Sequence, residues 1–163
     1  MTLAQFAAWF EGSFLGHAMR DSGVWTYGVV NLAHILGVAL LFGSIAVLDL
    51  RLIGVWRQVP LAALSKPIVP MATIGFLLAS ITGLGLLATK TTDYLGNPFL
   101  YAKFPIIGLA LLNVLLLHRS AAWKAHRLRD LSDGEKSQLA RMGGASLVFW
   151  LGAISTGRMI GYW

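Results

Sequence analysis

The chain has 163 residues, 56% of them hydrophobic and only 12% charged, with a net charge of +6 and a mean hydropathy of +0.69. A soluble domain carries about twice that share of charge, and the apolar residues fall in blocks of about 20, the length that crosses a hydrocarbon core of about 30 Å. The basic excess sits between those blocks, where it sets topology and contacts lipid rather than nucleic acid, and the absence of cysteine excludes disulfides and thiolate metal sites.

Residues 2–19 place Leu3, Phe6, Ala7, Phe10, Phe14 and Leu15 at helical spacing, which predicts an amphipathic helix lying in the membrane interface. The stretch lacks the basic n-region of a signal peptide and carries Glu11, so it reads as retained. Asp21-Ser22-Gly23 ends it, and a first span follows over about 24–48. Residues 49–70 hold Arg51, Arg57 and Lys66 with Pro60, Pro67 and Pro70, and read as a basic loop. The second span, about 71–88, contains Gly75, Gly83 and Gly85, small residues that admit another backbone or a flat ligand. A turn-rich connector precedes the third span, about 99–117. The polar stretch after it includes Ser132 and Glu135 at capping-box spacing, and the fourth span covers about 145–162. The expected fold is all-α: an antiparallel four-helix membrane bundle with an N-terminal amphipathic helix, forming one domain.

The two long loops hold nine of the 13 Lys and Arg residues. The positive-inside rule puts these loops in the cytoplasm and both termini outside, as expected of a multi-pass protein in a bacterial inner membrane. Tyr27, Tyr94, Tyr101, Tyr162 and Trp163 then form an outer aromatic belt. The run His118–Arg129 suits anionic phospholipid headgroups at the cytoplasmic face. Asp49 and Arg51 end the first span at the inner interface as anchors, with Arg119 available to meet Asp49.

Three ionisable residues lie within the spans. His34 sits about 10 Å inside the belt, and Lys103 and Arg158 about 6 Å inside it, at 1.5 Å per residue. A neutral imidazole with two cations nearer the surface suits one heme b: iron on His34, propionates on Lys103 and Arg158, and His17 as a second ligand. The span-2 glycines would make room for the macrocycle. Asn31, one turn before His34, shares its face and either supports it or caps a neighbour. Two other readings stand beside this one. His34 can simply bond Ser155, Asn113 or a backbone carbonyl across the bundle, and Lys103 and Arg158 can snorkel, in a non-enzymatic accessory or oligomeric subunit of a larger membrane complex. Alternatively His17, Met19, His34 and Met159 are a copper-handling set. No hydrolase triad, phosphate loop or HExxH motif is present.

The segments Gly16-His17-Ala18-Met19-Arg20-Asp21-Ser22, Asn31-Leu32-Ala33-His34-Ile35-Leu36-Gly37, Leu41-Phe42-Gly43, Asp49-Leu50-Arg51-Leu52-Ile53-Gly54, Gly75-Phe76, Thr82-Gly83 and Asn97-Pro98-Phe99 with Lys103 resemble an uncharacterised family of small bacterial four-span membrane proteins. The resemblance spans nearly the whole chain and carries no established activity. More remotely the layout is similar to copper-resistance D domains and cytochrome b561-like bundles, which implies heme or copper on bundle histidines. The chain lacks histidine pairs at matched depth on facing spans, so that likeness implies at most one heme.

Overall fold

The computed structural model describes all 163 residues, Met1–Trp163, and contains helices and no strand. The N-terminal stretch forms two helices, α1 (Leu3–Glu11) and α2 (Phe14–Asp21), instead of the single one expected. Thr2 and Gln5 close a capping box at the start of α1, and Ser13 supplies a fresh cap by accepting from the Gly16 amide. A second N-cap inside a periodic apolar pattern splits the helix without disturbing its spacing.

α3 (Val24–Ile53) runs for 30 residues, about 45 Å, and stops at Gly54. Gly54 is left-handed (φ 116°), and its amide bonds the carbonyls of Leu50 and Arg51. α4 (Leu61–Thr89) begins ten residues before the expected start of the second span. Pro67 and Pro70 lie inside it, so all of 61–70 is helix, and the expected 49–70 loop shrinks to 54–60. Each proline removes one amide donor without breaking the helix, as apolar helices packed on neighbours tolerate. α5 (Pro98–Arg119) starts on Pro98 with Asn97 as cap. The short α6 (Ala121–Ala125) leads to α7 (Asp133–Met159), capped by the Ser132–Glu135 box.

Three helices, α3, α4 and α5, are long and apolar enough to cross a membrane. α7 is long enough, but Gly, Ser, Thr and Arg158 dilute the apolar run of its second half. The close helix pairs are α3–α4, α3–α7 and α5–α7, with α2 laid against α4. Gly37 and Gly75 set the tightest crossing: a Cβ on Gly75 would stand 2.4 Å from the Leu41 amide nitrogen. One core, Leu41, Ile45, Ala110 and Trp150, fills the middle, with Phe76 edge-on to Trp150. A second, Leu48, Leu52, Leu117, Trp123 and Leu139, closes the end that carries the 54–60 and 120–132 connections. The opposite end, where both termini lie, has no buried apolar cluster of this kind, and it is the end that holds His34.

Candidate functional site

The polar layer at the terminal end is built on His34. Its ring lies against Gly83 of α4, with Cε1 3.0 Å from where a Cβ would stand. Nδ1 is 2.9 Å from the Ala79 carbonyl oxygen and 3.2 Å from Thr82 Oγ1. A carbonyl only accepts, so Nδ1 carries the proton, and Thr82, whose hydroxyl donates to the Leu78 carbonyl, accepts as well. In the neutral ring the lone pair then sits on Nε2, which has no protein partner. A backbone carbonyl holding Nδ1–H is the arrangement that orients histidines for metal ligation.

Lys103 lies within Coulombic reach of His34. Its ammonium passes over Gly157 of α7, 3.2 Å from where a Cβ would stand, and has neither a hydrogen bond nor an ion pair. Neither α3–α5 nor α4–α5 is among the close helix pairs, so His34 on α3 and Lys103 on α5 belong to helices that do not pack closely on each other.

The other expected members go elsewhere. Arg158 is exposed, with its guanidinium over the Tyr162 ring and bonded to the Tyr162 hydroxyl. His17 is exposed on α2 and sits 3.6 Å from Asp21. The face of α2 turned inward carries Gly16 and Met19, with Met19 packed against Gly85. Asn31 is half-buried and makes no hydrogen bond. No group of three or more His, Cys, Asp or Glu is assembled to hold a metal ion, and Met159 is exposed at the end of α7. Of the expected copper set, His17 and Met19 lie on opposite faces of α2, the first exposed and the second buried.

For a heme, the donor chemistry of His34 and Lys103 fits one iron ligand and one propionate partner. The glycine cradle does not. Gly75 is filled by the Leu41 backbone, Gly83 by the His34 ring and Gly85 by Met19. Those glycines serve helix contact and the imidazole, and give the macrocycle no room between α3 and α4.

Two features of the ends escaped the sequence reading. Asp49 is only 3% exposed, and its Oδ2 has no hydrogen-bond partner. It packs at the α3–α7 crossing, where a Cβ on Gly143 would meet its carbonyl oxygen at 3.1 Å, and it forms no ion pair with Arg119. The signal was available: Asp49 falls on the stripe Leu41, Ile45, Leu48, Leu52, which is the buried face of α3. At the terminal end, Glu11 accepts from the Thr92 amide (2.8 Å) and hydroxyl (2.6 Å), which holds its carboxyl below the usual range. Arg20 bonds the carbonyls of Glu11 and Thr89. These contacts clamp α1 and α2 onto the end of α4.

His118 and His126 lie at the loop end, away from His34. His126 is buried. Its Nε2 is 3.0 Å from Ser65 Oγ, and its Nδ1 bonds the Trp123 carbonyl, so it ties α6 to α4.

No curated protein and no solved structure matches the chain. Residues 6–163 match a family of unknown function, DUF6644, and the chain belongs to it.

Proposed function

We propose that the protein is a four-span protein of a bacterial inner membrane that holds one heme b in the outer half of its bundle, with His34 as the residue that would hold its iron. The observation that carries this reading is the histidine itself: Nδ1–H is fixed by the Ala79 carbonyl, and Nε2 is left without a partner. When bound, heme would supply one-electron redox chemistry. The residues of the chain would hold it by the Nε2 lone pair and neutralise a propionate with the otherwise unpaired Lys103, on the α5 side of His34, because the α3–α4 contact has no room for it.

In this reading α7 is the fourth span, and its Gly143, Ser146, Gly152 and Gly157 face neighbouring helices instead of lipid. The nine basic residues in and beside the 54–60 and 120–132 connections put that end in the cytoplasm and both termini outside. α1 and α2, with Trp9 and Phe14 exposed, lie in the outer interface.

Purified protein expressed with ample heme is expected to show a Soret band that His34→Ala abolishes and Lys103→Gln shifts in midpoint potential. A colourless preparation would overturn the reading. A defined oligomer with no chromophore would support the accessory-subunit alternative instead.

A further inference from the structure

A cleft of about 710 Å³ opens at the loop end, between the end of α3, the 54–60 turn and the start of α7. That volume lies in the range of small-ligand sites, about 300–1,000 Å³. Four cations line it: Arg51, Arg57, Arg129 and Lys136. Two are matched locally, Arg129 by a forked pair to Glu135 (2.7 and 2.9 Å) and Lys136 by Asp133 (3.0 Å). Arg51 and Arg57 have no carboxylate within 4 Å. The remaining acidic group in the lining is Asp130.

Neither guanidinium group is paired with a carboxylate, and Arg51 is held in place by backbone carbonyls. Arg51 donates from Nε to the Val59 carbonyl (2.7 Å) and from Nη2 to the Arg57 carbonyl (3.2 Å), which leaves Nη1 free. Arg57 folds back over Gly54, and its Nε lies 2.9 Å from where a Cβ on that residue would stand. Only glycine allows both this approach and the backbone angle of φ 116°. The turn also holds Trp56 at φ 51°, a costly conformation for a bulky side chain, which the two Arg51 bonds help to fix. At its foot the cleft meets Leu52, Ile53 and Leu61, and Ile53 is 42% exposed on the helix surface.

We propose that this cleft binds a phosphate-bearing anion, seated on the guanidinium groups of Arg51 and Arg57. The unbonded planar fork of Arg57 matches phosphate oxygens two at a time, and Arg51 adds its free Nη1. The shared chemistry is the phosphoryl oxyanion, supplied either by an anionic phospholipid whose chains leave past Ile53 or by a free phosphate ester. The lipid source rests on the membrane reading above. Neither source involves His34 or heme.

The test uses the full chain in detergent. One arm adds phosphatidylglycerol or phosphatidylcholine in mixed micelles and counts retained lipid by native mass spectrometry. The other adds inorganic phosphate, with chloride at matched ionic strength, and follows the melting midpoint. Arg57→Gln is the variant: its side chain is exposed, and only its backbone carbonyl holds Arg51, so the turn survives. Lys66→Gln, exposed on α4 at the same end but outside the cleft and outside the run His118–Arg129, is the control. One phosphatidylglycerol retained in preference to phosphatidylcholine, weakened about tenfold or more by Arg57→Gln and unchanged by Lys66→Gln, supports the lipid source. A midpoint raised by inorganic phosphate in the parent but not in Arg57→Gln, without lipid preference, supports the free ester. Equal losses in both variants, or no response in either arm, overturns the proposal. A colourless protein that still passes either arm separates this inference from the failure of the heme reading.

Discussion

Replacing Gly75 by alanine adds one carbon at the tightest helix crossing. That carbon would stand 2.4 Å from the Leu41 nitrogen and 2.9 Å from both the Leu41 Cα and the Gly37 carbonyl oxygen. All three are backbone atoms of α3, so no rotamer change relieves the contact. The helices must separate by roughly 1 Å to restore ordinary contact near 3.5 Å. Overpacking of this kind costs about 1–3 kcal/mol, with rigid neighbours at the upper end. The gain in helix propensity from Gly to Ala, about 1 kcal/mol, offsets part of it. The net expectation is about 2 kcal/mol of destabilisation. Gly108→Ala is the control, because a Cβ there meets nothing within 4 Å and only the propensity gain remains. The two alanine variants should therefore differ by about 3 kcal/mol. Denaturant unfolding in detergent, followed by tryptophan fluorescence, to which the buried Trp123 and Trp150 contribute, reads the difference in heme-free protein. If Gly75→Ala proved as stable as Gly108→Ala, the slot beside Gly75 would belong to something other than the α3 backbone, and the packing argument would fail.

Other consequences can be checked on the same preparations. Asn97 is 1% exposed, accepts from the amides of Phe99 and Leu100, and donates to the Ile160 carbonyl. Asn97→Ala loses a cap and a tertiary bond, about 2 kcal/mol together by denaturant unfolding. Glu135 is held down to about 2, chiefly by its hydrogen bonds with Arg129, against an ordinary 4.5. Its contribution is complete above pH 4.5 and fades as pH falls toward 2; Glu135→Gln should remove that part of the acid slope, and an unchanged slope would refute it. Burial holds the His126 imidazole below its ordinary 6.5. The folded state therefore favours the neutral ring and loses stability as pH falls below 6.5, so His126→Gln should flatten the melting midpoint between about pH 7 and 5.

The sequence by itself determined the class and the order of the molecule. Apolar blocks, caps and connections placed three membrane-length helices close to where they lie, because a run of about 20 apolar residues has few other ways to satisfy its backbone. The Ser132–Glu135 cap and the Asn97-Pro98 start are local chemistry and appeared where expected. That His34 and Lys103 lie toward the same end of the molecule was legible, since position along a helix follows from a fixed rise per residue. What a side chain touches was not legible in the same way. Only the tertiary structure assigned Gly75 and Gly83 to the α3 backbone and the His34 ring, turned His17 and Arg158 outward, and buried Asp49 between α3 and α7. Depth along a helix is set by the chain itself, whereas azimuth and partner depend on which helix packs where, and the first span, with Asn31, His34 and Asp49 at different depths, acquires its distinct ends only when α4, α5 and α7 close around it.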